Sequence, residues 1–306
     1  MTGVDGVLLI AFGGPTAPHE IRPFLERVTR GRRIPPERLE EVAGHYAQMP
    51  GGGSPLTELT NAQAKALERE LALDTPPLPV FVGMRNWHPF LGETLAAMAR
   101  KGVKRALGII LSPLRTEASW DRYQQDVAGA RAKVPGAPEV AYAPAWYEHP
   151  GFVEALADRT RAAFAGIPAA ERAHAPLVFT AHSVPVVMAA ASSYVADFTA
   201  ASRAVAARLG HERWSLAYQS RSGSPHEPWL EPDIADELKR LGGAGARHVV
   251  VVPLGFVCDH VELLYDLDVA ARAVAERHGV TMRRAAAVND HPAFVAMLAD
   301  LVRSAA

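Results

Sequence analysis

HVVVVPLGFVCDHVELLYDLD, residues 248–268, is the stretch on which the reading of the fold turns. Four valines after His248 describe a strand buried on both faces, the kind a parallel sheet places at its centre. The run ends at Pro253-Leu254-Gly255, and the chain is expected to leave as a helix with an unusually acidic start. On that helix Asp259, Glu262 and Asp266 fall at i, i+3 and i+7 and so share one face. His260 is two residues from Glu262 and points elsewhere, so the pair cannot close on one ion, and the order is not that of an H-E-x-x-H metal site. An acidic first turn suits the dipole of an ordinary surface helix. The same carboxylates also follow a buried strand at its C-terminal end, where open α/β sheets bind ligands. Neither reading prevails from this stretch alone.

Outward from it, the same rhythm repeats. Buried-type strands are expected at 7–12, 80–84, 106–111, 139–142, 177–181, 214–219 and 282–285. Helices are expected at 18–29, 36–48, from 54 or 57 to 73, 89–101, from 119 to 133, 151–165, 192–209, 233–241 and 292–303. Alternation of this kind, with long crossovers, predicts parallel pairing and an α/β fold. The economical architecture is two Rossmann-like domains with parallel sheets, residues 1–145 and 146–306, with a cleft between them and the last helix packing back on the first domain.

The 306 residues are 49% hydrophobic, enough for two cores, and the net charge of −1 gives no bulk attraction to nucleic acid or anionic membrane. Cys258 is the one cysteine, which excludes an intramolecular disulfide and fits a reducing, cytoplasmic setting. No apolar run approaches the roughly 18 residues needed to span a bilayer.

If all strands run parallel, their C-terminal ends collect the chemistry on one edge. Those ends carry Phe12-Gly13-Gly14, Met84-Arg85-Asn86, Ser112-Pro113-Leu114, His182-Ser183, Gln219-Ser220-Arg221 and the 253–262 turn. A lone histidine at a strand end is more often structural than catalytic. Ser183 is not a nucleophile activated by His182, because adjacent residues do not present base and nucleophile to each other and no G-x-S-x-G elbow exists. What survives is His182 from one strand end and Glu262 from another. A base near neutrality and a carboxylate suit proton transfer or transient metal handling better than a tight structural site, which wants four ligands. Gly51-Gly52-Gly53 is not a nucleotide loop, since no Gly-Lys-Ser/Thr follows; its glycines are expected to let backbone approach a ligand. Arg27, Arg30, Arg32 and Arg33 end the first helix, either as capping charges or as forks for carboxylates.

The motifs in series resemble one family. FGGP at 12–15, VTRGR at 28–32, GGGSPL at 51–56, VGMRNWHPF at 82–90, AHSVP at 181–185, YQSRSG at 218–223, WLEP at 229–232 and GFVCDHVELLYDLD at 255–268 are similar to ferrochelatases, which insert Fe2+ into a porphyrin. The opening motifs resemble the actinobacterial branch, whose members act on coproporphyrin III. The resemblance implies that His182 accepts pyrrole protons and faces the metal, with Glu262 as the carboxylate opposite it. It implies metal contact by His182, Glu262 and Asp266. It implies tetrapyrrole contact by Ser54 and Tyr123, and further contacts by Phe12, Thr29, His45 and Tyr46. Arg30 and Arg32 would then meet propionates, and Phe12, Trp87 and Leu114 would suit a large aromatic plane.

The sequence departs from the family pattern in places. Phe12 stands where Bacillus-type members carry a tyrosine, so no phenolate reaches iron from there. Ala270 ends the acidic row early, which argues against a second outer metal site. Cys258 alone cannot hold an iron–sulfur cluster, so no cofactor is expected and Fe2+ is a substrate. The expected partners are porphyrin and ferrous iron, with only transient contact to other haem-pathway enzymes, no nucleic acid, and a monomeric chain. The alternatives are a protoporphyrin IX ferrochelatase, a non-catalytic porphyrin- or haem-binding protein, or a chelatase for cobalt and sirohydrochlorin, a family that shares the fold without this run of motifs.

Overall fold

The structure is a computed structural model that describes residues 3–31, 34–222 and 227–305. Its elements are β1 (Gly6–Ala11), α1 (Pro18–Val28), α2 (Pro36–Ala47), α3 (Leu56–Leu71), β2 (Val80–Met84), α4 (Leu91–Arg100), β3 (Arg105–Ile110), α5 (Arg122–Arg131) and β4 (Glu139–Tyr142). There follow α6 (Pro150–Ala165), α7 (Ala169–Arg172), β5 (Leu177–His182), α8 (Val186–Ala190), α9 (Tyr194–Leu209), β6 (Trp214–Gln219), α10 (Ile234–Gly243), β7 (His248–Val252), α11 (Val261–Leu264), α12 (Arg272–Arg277), β8 (Thr281–Arg284) and α13 (Pro292–Arg303).

Two four-stranded parallel sheets result, ordered β2-β1-β3-β4 and β6-β5-β7-β8. The order is the same in both if each sheet is counted from its own first strand. The central strands are the apolar runs read from the sequence. Residues Gly6–Ala11 of β1 are all buried, as are Val249–Val252 of β7, because helices cover both faces of a parallel sheet. Helix α10 shows why the covering helices form. Ile234, Leu238 and Leu241 repeat on one face and join the core of Val178, Val249 and Val251, and the Asp233 side chain caps the start by accepting the Ala235 N–H at 2.8 Å.

The chain divides into two compact units. One takes the residues up to Leu111, Trp120–Pro144 and those from Val295 onward; the other takes Ser112–Ser119 and Ala145–Phe294. In the first, Arg303 of α13 pairs with Asp74 at 3.1 Å. In the second, Arg115 forks onto Asp197 of α9 at 2.9 and 3.0 Å. Asp197 is 2% exposed, and a carboxylate so buried needs that partner, which fixes the Ser112–Ser119 loop in this unit.

The structure corrects the sequence reading in several places. The acidic segment is not one helix from Gly255. It runs without helix to His260, makes a single turn in α11, and continues as a wider, π-type turn from Asp266 to Ala271. Leu114, expected to face an aromatic ligand, is 1% exposed and packs in the interior. The glycine-rich loop serves its own fold: a Cβ on Gly53 would lie 2.7 Å from the Thr16 carbonyl carbon, and one on Gly52 2.7 Å from Pro18 Cγ. The residues after His182, read as a loop, include the short helix α8.

Gly255 decides how the second sheet meets its site. A Cβ there would come within 2.8 Å of both Ala181 Cα and Cβ, and the Gly255 N–H donates to the Thr180 carbonyl at 3.0 Å. The exit of β7 is thereby laid against the end of β5. Gly243, in contrast, has nothing within 4 Å of an added Cβ and closes α10. Gly255→Ala should therefore cost about 1–3 kcal/mol of stability through overpacking. Gly243→Ala should be neutral or stabilise by up to about 1 kcal/mol. Denaturant titration of the two variants checks this; equal stabilities would contradict the close approach.

Candidate active site

The end of β5 delivers His182, and β6 pairs with it so that Gln219 stands beside His182 in register. The exit of β7 delivers Glu262 in α11. These three strand ends meet at one point. His182 Nε2 and a Glu262 carboxylate oxygen are 4.0 Å apart, with the side chains 30% and 39% exposed. That is too long for a hydrogen bond. Among the described residues neither atom has a hydrogen-bond partner.

Each of the two side chains is held from behind. The Tyr194 hydroxyl donates to the His182 carbonyl at 2.8 Å, and the Ser183 hydroxyl donates to the Leu230 carbonyl at 2.9 Å. Tyr194 is buried, and desolvation raises its pKa, so it stays a neutral donor. Gln219, 1% exposed, donates its amide to the Glu262 carbonyl at 2.8 Å. One residue thus joins the two: its backbone ladders with His182 and its side chain grips the Glu262 backbone.

The contacts also fix the imidazole. His182 Nδ1 rests on the Ser183 carbonyl oxygen, which only accepts, so Nδ1 carries the proton. In the neutral ring it is then Nε2 that carries the lone pair and turns it toward Glu262. Two electron-pair donors facing each other across a gap can share a proton or a cation. The gap is 4.0 Å. It is wider than the roughly 3.4 Å bite of two ligands on a tetrahedral ion with bonds of about 2.1 Å. The pair suits an ion that is passed on.

His260 does not join them. It caps α11, its Nδ1 accepting the Glu262 N–H at 3.2 Å, and burial lowers its pKa despite the nearby Glu262 and Asp259. Asp266 accepts the hydroxyl of Ser220, a residue with φ of 61°. Asp259 does not share a face with Glu262 as the helical spacing suggested. It lies before the helix, 2.6 Å from Arg284 Nη1 and 2.8 Å from Asn289 Nδ2. Among the described residues no three His, Cys, Asp or Glu side chains gather in metal-holding geometry. Asp266 is therefore not assembled with His182 and Glu262 into one ligand set.

The other named residues lie in the first unit. Phe12, at the end of β1, is 39% exposed and meets Phe24 edge-on at 6.4 Å. Tyr46 and Trp87 pack on the same Phe24, each at 5.9 Å. Tyr46 is buried, and Trp87 also donates its indole N–H to Glu20 at 2.9 Å. Ser54 is buried against Gly14 and Pro15, its N–H donating to the Pro15 carbonyl at 2.7 Å. Its hydroxyl accepts the Leu56 N–H at 3.3 Å and so serves the start of α3, which Thr57 does not. Tyr123 is buried in a core cluster, with the Arg85 guanidinium 4.3 Å over its ring. The Thr29 hydroxyl donates to the Leu25 carbonyl at 2.7 Å. His45 is half-buried, which lowers its pKa. Arg30 is exposed with no ion partner among the described residues, and Arg27 stacks on Phe90 at 4.3 Å. Arg32 lies outside the described residues, as do Arg33 and the glycine ending the 218–223 motif.

Sequence reasoning passed over Tyr194, Trp229 and the roles of Gln219 and Arg284. The Trp229 ring stands 6.4 Å from His182, and its indole nitrogen is buried without a partner among the described residues. Gln219 and Trp229 fall inside motifs that were noticed. Nothing local says that their side chains turn toward His182 and Glu262.

Comparison with known proteins bears on the family and the fold. The ferrochelatase family model matches residues 4–306. A coproporphyrin III ferrochelatase of Frankia alni is 46% identical over 314 residues, covering 98% of this chain and 79% of that protein. The protein of the same name from Mycobacteroides abscessus is 43% identical over 302 residues, covering 97% and 87%. Among solved structures, SirB from Bacillus subtilis with Fe3+ superposes with a TM-score of 0.59 at 12% identity, covering 98% of this chain and 95% of that one. A multi-domain protein from Deinococcus radiodurans with structural similarity to chelatases gives 0.60 at 17% identity, covering 99% and 56%. Those two likenesses bear on the fold alone. With a family model matched from residue 4 to the end and relatives of this identity along their length, the chain belongs to the ferrochelatase family of metal chelatases.

Proposed function

We propose that the chain inserts ferrous iron into coproporphyrin III, with His182 and Glu262 as the reacting groups. The observation that carries the reading is the facing pair: His182 Nε2 and the Glu262 carboxylate, 4.0 Å apart and with no hydrogen-bond partner among the described residues. The substrate follows the names of the Frankia and Mycobacteroides relatives.

Insertion needs two pyrrole N–H protons removed, water stripped from the ion, and the flat ring bent. His182 accepts one pyrrole proton at Nε2, the acceptor nitrogen of the neutral ring whose Nδ1 rests on the Ser183 carbonyl, and passes it to solvent, which also takes the second. Glu262 draws the ion in and replaces part of its water shell, and the wide spacing lets the ion leave for the ring. Asp266, four residues beyond Glu262, accepts the Ser220 hydroxyl. A rigid wall that fits the bent ring better than the flat one supplies the remaining acceleration. The Trp229 ring beside His182 offers a flat neighbour to the macrocycle.

Phe12, Thr29, Arg30, Arg32, His45, Tyr46, Ser54 and Tyr123 are proposed tetrapyrrole contacts. Of the described ones, Phe12 and Arg30 have open side chains. Coproporphyrin III carries four propionates against two in protoporphyrin IX, and Arg30, exposed and without an ion partner among the described residues, suits the extra carboxylates. The reading includes no iron–sulfur cluster, because Cys258 is the one cysteine of the chain. Among the described residues no helix is long and apolar enough to cross a membrane. We place the reaction in a reducing cytoplasm on a monomeric chain, with any contact to other haem-pathway enzymes transient.

Two expectations follow for kinetics under anaerobic conditions. His182→Ala should abolish insertion while coproporphyrin III still binds. Glu262→Gln should lower the rate well beyond any change in porphyrin affinity. Wild-type turnover in His182→Ala, or a pure binding porphyrin protein with no turnover in the wild type, would remove the mechanism. The kcat/KM for coproporphyrin III should exceed that for protoporphyrin IX at least about tenfold, as one charge-assisted pair is worth roughly 1.5–3 kcal/mol. Arg30→Ala should narrow the ratio. A preference for protoporphyrin IX in detergent-controlled assays would overturn the substrate and keep the chelatase.

A further inference from the structure

The segment that carries Glu262 cannot hold itself straight. After the single turn of α11, the Tyr265 carbonyl accepts both the Val269 N–H at 3.1 Å and, five residues on, the Ala270 N–H at 2.9 Å, so the helix widens into a π-type turn. Both ends of the segment are instead held by one side chain. Arg284, the last residue of β8, places Nη1 2.6 Å from Asp259. Its Nε and Nη2 fork onto Asp268 at 2.8 and 2.7 Å. Nη1 also donates to the Ala285 carbonyl at 3.1 Å. The Arg284 side chain is 10% exposed.

Arg284 is itself rigid. It stands in register with Val251 of β7, and the ladder continues through the Ala285 N–H to the Val251 carbonyl at 2.8 Å. Asp259 is pinned again by Asn289, which donates to its carboxylate at 2.8 Å and accepts its N–H at 2.9 Å. Burial opposes the guanidinium charge, but its hydrogen bonds to Asp268 and the nearness of Asp259 outweigh this and raise its pKa. The fork that Arg forms with one carboxylate while reaching a second is beyond any lysine.

We propose that Arg284 is a positioning residue for the metal step: by clamping Asp259 and Asp268 it holds Glu262, which lies between them, at its distance from His182. The same clamp engages two carboxylates that would otherwise compete with Glu262 for the ion. Arg284 touches neither substrate nor ion. The inference rests on the reading that Glu262 handles the metal.

The test uses the full chain with ferrous iron and coproporphyrin III, and compares Arg284→Gln, Arg284→Lys and Asp268→Asn with Glu262→Gln and the wild type. Thermal unfolding and porphyrin fluorescence quenching accompany the kinetics. In the Arg284 variants KM for iron should rise at least about fivefold while the coproporphyrin III Kd stays within about twofold, the split expected of a misplaced metal group. Lysine should not rescue, and Asp268→Asn should shift iron kinetics in the same direction by less. If the Arg284 variants do not fold, Asp268→Asn decides. Unchanged iron kinetics in a folded variant, parallel loss of porphyrin affinity, rescue by lysine, or failure of all three to fold would each overturn the assignment. Wild-type iron kinetics in Glu262→Gln would instead sink the role of Glu262 itself; impaired Glu262→Gln beside normal Arg284 variants sinks only the clamp.

Discussion

The close approach of Gly255 to Ala181 is the contact on which the rest of the second unit's site depends. Neighbouring parallel strands already run alongside each other, but their exits ordinarily diverge. Here the missing side chain lets the exit of β7 extend the pairing with β5 through the Gly255 N–H and the Thr180 carbonyl. The chain that follows is then committed to cross the end of β5, and Glu262 arrives over His182. Gln219 closes the arrangement from the other neighbour of β5. Three adjacent strands thus contribute to one 4.0 Å gap.

Charge explains why that gap is available. Asp259, Glu262, Asp266 and Asp268 crowd into a short segment, and like charges so close are unfavourable unless partnered. Asp259 and Asp268 share Arg284, Asp266 takes Ser220, and Asp268 has a further partner in Arg272 at 3.3 Å. Glu262 is left with its carboxylate facing an imidazole lone pair. A carboxylate exposed in part and without a hydrogen-bond partner among the described residues is what an incoming cation meets. The backbone carbonyl of Ser183 holds Nδ1 of the imidazole beside it, so in the neutral ring Nε2 is the acceptor that faces Glu262.

Much of this was legible in the residues. Continuous apolar runs such as GVLLIA and HVVVV name central parallel strands, and strand ends name the edge where His182 and Glu262 belong. The irregular segment was not legible. Spacing at i, i+3 and i+7 suggests one helix, yet residues 256–260 are fixed outside it by distant partners. Asn289 donates its N–H to the Val257 carbonyl at 2.9 Å, and the His260 ring takes the N–H that begins the helix. Leu114 misled for a similar reason, since a strand-end leucine looks the same in sequence whether it turns to a ligand or to the interior. The glycines at 51–53 signal close approach without saying to what, and for Gly52 and Gly53 the answer was the neighbouring Pro15–Pro18 chain.

The central claim is that His182 and Glu262 together hold the ion before it enters the ring. Anomalous diffraction from crystals soaked anaerobically with ferrous iron, without porphyrin, tests it directly. The account predicts one peak of partial occupancy between His182 Nε2 and the Glu262 carboxylate, with bonds of about 2.0–2.2 Å, and none at Asp259 or Asp268. A peak at those aspartates with His182 and Glu262 unbound would contradict it.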